Sequence, residues 1–146
     1  MNDPIAMLKA DHREAAAMLK TLGASERPSA TRRRTTAKLV AALQLHMQIE
    51  ESLVYPLVAQ RVGKEEEEEA EIEHRLARDG LSQLSELVGE PGFGAAVAMV
   101  TAGIKHHVKE EETELFPALK AKLDRAELAD LGDEVAAGKK RKRVLQ

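Results

Sequence analysis

The chain has 146 residues, 43% of them apolar and 32% charged, with a net charge of −3 and no cysteine. This is the size of one domain with a real core, and the missing cysteines exclude disulfides, thiolate metal sites, iron–sulfur clusters and cysteine nucleophiles. Aromatic residues are only Tyr55, Phe93 and Phe116, so the core must be aliphatic, which reads as all-α rather than sheet.

Asp3-Pro4 marks the first helix start: Asp caps free N–H groups and Pro suits the first helical position. Ile5, Leu8, Ala15, Met18, Leu19 and Leu22 recur at three- and four-residue spacing, with His12 on the same stripe. Gly23 ends this helix. A second helix starts at Ser29 or Thr31 and runs to about Val62. Its early face carries Arg32, Arg33 and Arg34, and its stripe includes Leu39, Leu43, His46, Ile49, Glu50 and Leu53. Pro56 lies inside it, where the absent N–H and the ring clash predict either a local distortion one turn past the carboxylate that serves the site or a plain kink. Gly63 breaks the chain. The five glutamates at 65–69 read as the solvated start of a third helix, favoured by the helix dipole, and not as a calcium site. Ile72, Leu76, Leu81, Leu84, Leu87 and Val88 carry that helix's stripe, with His74 near it, and Glu90-Pro91-Gly92 is a turn. A fourth helix spans Phe93 or Gly94 to Leu123, with His107 and Glu111 on its stripe and Pro117 repeating the anomaly of Pro56. Asp124 caps a short fifth helix that ends at Gly138.

Short loops between long helices predict an up-down-up-down antiparallel four-helix bundle with a short extra C-terminal helix. The expected division is a bundle at 1–123, the extra helix at 124–138 and a basic, disordered tail at 139–146. That tail holds five of the 22 basic residues, leaving an acidic body unlike a nucleic-acid binder. The N-terminus has no basic-then-apolar signal and no apolar run approaches a membrane span, so a cytoplasmic protein is expected.

One stretch occurs twice. Residues 46–56 and 107–117 both read His-x3-Glu-Glu-x3-aromatic-Pro, 61 residues apart. Each copy follows an acid-His-Arg triplet, Asp11-His12-Arg13 and Glu73-His74-Arg75, whose histidines lie 62 apart. Self-similarity of this kind decides the architecture. Residues i and i+4 share a helix face, so His46 with Glu50, and His107 with Glu111, each aim an imidazole and a carboxylate at one spot. In antiparallel neighbours the lone His12 and His74 come to the same level. Four imidazoles and two carboxylates suffice for two metal ions with open positions, and this donor set suits iron, manganese or zinc. A metal-free duplicated bundle, its polar residues paired with one another, is the plain alternative.

The doubled pattern resembles the hemerythrin-like, or HHE cation-binding, family over about residues 3–123. The resemblance implies a non-haem diiron centre, oxo- or hydroxo-bridged, with manganese or zinc as lesser alternatives. The implied ligands are His12, His46, Glu50, His74, His107 and Glu111, with Glu50 and Glu111 bridging. Oxygen-carrying hemerythrins have His-x3-His on the third helix, where this chain has Arg78, and His-x4-Asp on the fourth, where it has His107-x3-Glu111. The chain is thus closer to a His, His-x3-Glu, His, His-x3-Glu branch, with one imidazole fewer.

Three neighbours are weighed beside these six. His106 points about 100° away from His107. Glu112 stands at i+5 from His107, where the oxygen carriers place Asp. Tyr55 is a hard oxygen donor, yet on an ideal helix it lies about 180° from His46, which favours core packing; Pro56 can distort that turn, so Tyr55, like Glu112, stays a candidate ligand or a partner of the ligands. Its counterpart Phe116 cannot ligate. The resemblance implies binding of, or reaction with, a small oxidant: peroxide, oxygen or nitric oxide. The alternative is an iron-binding or oxygen/redox-sensing module without turnover, reporting through the fifth helix and tail. A monomer or weak dimer, with no membrane or nucleic acid as partner, is expected.

Overall fold

The computed structural model describes residues 2–145. All regular structure among them is helical. Helix α1 is Pro4–Gly23. Helix α2 covers 30–61 as three continuous stretches, Ala30–Ile49, Glu50–Val54 and Tyr55–Arg61. Helix α3 is Lys64–Leu87. Helix α4 covers 93–122 as Phe93–Glu110, Glu111–Leu115 and Phe116–Lys122. Helix α5 is Arg125–Leu145. No helix among the described residues is long and apolar enough to cross a membrane.

The starts are set by local chemistry. The Asp3 carboxylate accepts the N–H groups of Ile5 and Ala6 at 3.0 and 3.2 Å, and Pro4 takes the first helical position. Ser29, not Thr31, caps α2, its hydroxyl accepting the Arg32 N–H at 3.0 Å. Asp124 and Glu127 form a reciprocal capping box at the start of α5, at 2.8 and 3.1 Å.

Helix α5 does not stop at Gly138 but continues to Leu145. A glycine inside a helix costs only about 1 kcal/mol, and packing outweighs it here. Gly138 faces Ile49, and the next residue, Lys139, pairs with Asp11 of α1. Gln146, the end of the expected tail, lies outside the described residues.

Each helix buries one stripe. In α1 the buried residues are Pro4, Leu8, His12, Ala15, Leu19 and Leu22. Helix α1 packs on α2, α4 and α5, and α3 packs on α2 and α4. The core falls into two apolar clusters. One gathers Leu19, Leu39, Leu84, Phe93 and Val97 around the α1–α2 and α3–α4 loops. The other gathers Leu8, Val54, Val58, Phe116, Leu119 and Val135. The buried polar residues among those described are Arg32, Thr36, His12, His46, Glu50, His74 and Glu111.

Just before each proline the chain widens into a π-helical turn, at Glu50–Val54 and again at Glu111–Leu115. The Tyr55 N–H bonds the Glu50 carbonyl and the Phe116 N–H bonds the Glu111 carbonyl, each five residues back. The wider turn absorbs the proline ring and the hydrogen bond it cannot make.

Arg32 lies on the early face of α2. It is buried. Its guanidinium donates to the Ser25 hydroxyl, the Ser25 carbonyl and the Val88 carbonyl at 2.7, 2.8 and 3.1 Å. It also sits 4.4 Å from the Phe93 ring centroid, a cation–π distance. The fork ties the α1–α2 loop to the α3–α4 loop, at the end remote from the histidines.

Arg32→Ala should therefore lower unfolding free energy by about 2–4 kcal/mol, the scale of losing several bonds to a charged donor and stranding buried carbonyls. Arg32→Lys should recover less than half of the loss, because an ammonium lacks the fork. Urea unfolding of the metal-free protein measures both.

Candidate metal centre

The π turns decide what faces inward. In a straight helix the residue five positions after Glu50 would point well away from it. The extra residue of a π turn amounts to about 100° of rotation, so Tyr55 turns back onto the Glu50 face. The Tyr55 hydroxyl donates to Glu111 Oε2 at 2.7 Å and lies 2.9 Å from His74 Nε2. It is also 3.4 Å from Glu50 Oε1 and from His107 Nε2. The ideal-helix argument, which turned Tyr55 away from the histidines, is thus corrected: its ring packs in the core while its hydroxyl enters the cluster. Phe116, the equivalent residue, stacks parallel to His12 with centroids 6.0 Å apart.

The six candidate ligands converge in two groups. His12, His46, Glu50 and Glu111 offer donor atoms within 4.8 Å of one another, as do Glu50, His74, His107 and Glu111. Glu50 and Glu111 belong to both. His12 Nε2 is 3.1 Å from Glu111 Oε1, and His46 Nε2 is 3.1 Å from Glu50 Oε1. His74 Nε2 is also 3.1 Å from Glu50 Oε1, and His107 Nε2 is 3.4 Å from Glu111 Oε2. Glu50 and Glu111 are 0% and 1% exposed.

These contacts leave hydrogen bonding incomplete. His12 Nε2, His46 Nε2, Glu50 Oε2 and Glu111 Oε1 are buried without an aligned hydrogen-bond partner. Native interiors rarely tolerate one such atom. Four in one cluster, all imidazole nitrogen or carboxylate oxygen, are what a cation coordinated there would satisfy. The donor set passes the chemical test for a transition-metal pair.

Each imidazole is also held from behind. His12 Nδ1 donates to Glu112 at 2.7 Å, His46 Nδ1 to Asp11 at 2.8 Å, His74 Nδ1 to Glu51 at 2.7 Å and His107 Nδ1 to Glu73 at 2.5 Å. An Nδ1–H given to a carboxylate fixes the tautomer and turns the Nε2 lone pair inward. The acid before each lone His serves the His-x3-Glu histidine of its own half, whereas the second Glu of each Glu-Glu pair serves the lone His of the other half. Glu112 therefore lies outside both donor groups, as the partner of His12. Arg78 holds Glu51 bidentately at 2.8 Å on each oxygen. Asp11, Glu51 and Glu73 were not singled out from the sequence, although their signal, an acid repeated beside each candidate ligand, was printed in both halves. His106 stays 66% exposed at its side chain, paired with Glu110 at 3.0 Å.

Burial opposes protonation of His46, but the Glu50 carboxylate and the hydrogen bond to Asp11 outweigh it and push its pKa up to about 10. Burial likewise opposes His107, and Glu111 and Glu73 raise it to about 9. Burial resists the ionisation of Glu50, yet His46, Glu111 and His74 hold its pKa well below the carboxylate range. For the Tyr55 phenol, burial and the Glu50 and Glu111 charges all act together and keep it protonated.

A cavity of about 490 Å³ reaches the cluster from one side, with His12, His46, His74 and His107 in its wall. The rest of the lining is mostly apolar, including Leu43, Met47, Ala77, Val100 and Ile104. Leu76 and Met99, 65% and 77% exposed, stand at its outer part.

A family model described as the Hemerythrin HHE cation binding domain matches residues 3–119. The chain is also similar to a crystal structure titled as a hemerythrin HHE cation binding domain-containing protein from Mycobacterium kansasii. The TM-score is 0.85 and the identity 28%, over 98% of this chain and 88% of that one. No protein of curated function matches.

The raised imidazole pKa values predict opposite pH responses with and without metal. A raised folded-state pKa adds stability that is complete below the unfolded value of 6.5 and is lost as pH climbs through 9 and 10. Melting of chelator-treated protein should therefore fall between pH 6.5 and 10. Metal must displace the same protons, so its apparent affinity should rise over that window. Titration at pH 7 in buffers of different ionisation enthalpy should show about two protons released per chain on full loading, one each from His46 and His107.

Proposed function

This chain belongs to the Hemerythrin HHE cation binding domain family, and on that premise we propose that it holds two iron ions and reacts with or binds a small oxidant. The reading takes α1–α4 as an up-down-up-down antiparallel four-helix bundle, with Glu50 and Glu111 bridging the ions. His12 and His46 complete one coordination set and His74 and His107 the other. The observation that carries it is the pair of four-residue donor groups sharing two fully buried carboxylates.

An iron pair supplies one-electron chemistry at each ion and positions for peroxide, oxygen or nitric oxide. The chain's own residues do the rest. Asp11, Glu51, Glu73 and Glu112 orient the four imidazoles. The Tyr55 hydroxyl keeps a proton on Glu111 Oε2, beside His74 and His107 and far from bulk water. A hydroxyl so placed can donate to an oxygen atom bound between those groups, as a general acid at short range. The apolar cavity gives an uncharged small molecule a path that a hydrated anion would not take.

A second reading, iron or redox sensing without turnover, draws on one contact. Asp11 holds His46 through one oxygen and Lys139 of α5 through the other. A change at His46 can thus alter how the C-terminal helix sits against α1.

Protein purified without added metal should contain about two irons per chain and absorb in the near ultraviolet and visible, as oxo- or hydroxo-bridged ferric pairs do. Glu50→Ala and Glu111→Ala should each lose both ions, whereas His107→Ala should spare part of the first group. Peroxide turnover would favour the reactive reading, and stoichiometric binding alone the sensing one. Two zinc ions and no colour would overturn both. Tyr55→Phe should keep the metal content and lower turnover about 10²-fold, the usual contribution of one positioned acid.

A further inference from the structure

The cluster has a second opening that differs from the first in kind. A cavity of about 280 Å³ reaches His107 and Glu111 between α3 and α4, and glutamates dominate its wall: Glu66, Glu69, Glu73, Glu110, Glu111 and Glu114. Glu73 and Glu110 from this wall, with His106 from the wall of the larger cavity, bring one imidazole nitrogen and two carboxylate oxygens within 4.8 Å of one another. His106 Nε2 lies 3.0 Å from Glu110 Oε1 and 3.6 Å from Glu73 Oε2.

A His and Glu at i and i+4 on an exposed helix are ordinarily a surface pair worth a few tenths of a kcal/mol. Three features set this one apart. The third member comes from another helix. Glu73 uses its other oxygen to hold His107 Nδ1 at 2.5 Å, so a single carboxylate spans the surface group and the buried one. Glu111, 1% exposed and a member of both buried donor groups, lies in the wall of the same cavity.

We propose that His106, Glu110 and Glu73 form a surface site for a hydrated divalent transition-metal ion, and that this site is the station through which metal reaches the buried centre. The site rests on the two-metal reading above. Its donors match such an ion: imidazole selects the transition metals, and two carboxylates neutralise the charge. The apolar cavity is unsuited to this cargo, because stripping a cation against an apolar wall is costly. The acidic wall replaces shed water with carboxylate oxygens, and Glu66 and Glu69 raise the local cation concentration at the mouth. The glutamate run at 65–69 thereby has a use besides starting α3.

Stopped-flow loading of the metal-free, full-length protein with Co²⁺, followed by its visible ligand-field bands, tests this. His106→Ala/Glu110→Gln leaves the six inner residues and Glu73 intact. It should slow loading about tenfold at low ionic strength, the lower end of what charged clefts do for on-rates, with the final band intensity unchanged. Glu66→Gln/Glu69→Gln should weaken the dependence of the rate on ionic strength. An unchanged rate in His106→Ala/Glu110→Gln would overturn the station. A lost final intensity would overturn it too, by placing these residues in the centre itself. Wild-type protein that develops no bands would instead sink the two-metal reading on which the station depends.

Discussion

Glu50 and Glu111 are the constraint on which the structure depends. Each lies inside an apolar bundle at essentially zero exposure, and a buried carboxylate costs several kcal/mol unless its charge is met. Four imidazoles surround the pair, and behind each stands a further carboxylate. Six carboxylates then face four imidazoles, the Arg78 guanidinium and the Lys139 ammonium. With neutral imidazoles, two divalent cations bring that set to neutrality. That balance supports the two-metal reading proposed above.

The backbone is shaped to deliver these carboxylates. Each begins a π-helical turn that ends at an aromatic-Pro pair. A proline in an α-helix strands a carbonyl and forces a clash. Starting a wider turn five residues earlier removes the clash and rotates the aromatic onto the carboxylate's own face. Proline and π turn are therefore parts of one device that places two functional side chains, Glu and aromatic, above one another. Its exact recurrence 61 residues later gives the centre its two similar halves.

The helices, their caps and the six convergent residues were legible because helical periodicity and a doubled motif leave strong marks in a sequence. His12, His46, Glu50, His74, His107 and Glu111 meet as the i, i+4 spacing and antiparallel register require. Tyr55 was left between core packing and the centre because an ideal helix turns it away and only a distorted turn at Pro56 brings it back; a single extra residue in that turn shifts everything after it by about 100°. The role of Arg32 was not legible because Val88 and Phe93, which receive its guanidinium, are distant in sequence. The acids behind the imidazoles were in plain view but lacked a stated purpose, since periodicity shows which residues share a helix face and not which reach across to another helix. Gly138 failed as a stop signal because Ile49 and Asp11, distant in sequence, hold the chain beyond it.

The halves agree at the inner residues and differ around them. Next to His12 and His46 stand the Phe116 ring and the Asp11–Lys139 pair, which belongs to the contact with α5. Next to His74 and His107 stand the Tyr55 hydroxyl, the Glu51–Arg78 pair and the acidic cavity. Duplication explains the agreement, but the differences need a physical reason. An apolar ring cannot donate a proton, so the first half lacks what the Tyr55 hydroxyl supplies to the second. The larger cavity touches imidazoles of both halves, whereas the acidic one reaches His107 and Glu111. On the reading proposed above, the hydroxyl and the acidic wall therefore give the His74–His107 side the means to exchange protons and metal, while the His12–His46 side holds the same shared carboxylates beside the apolar cavity.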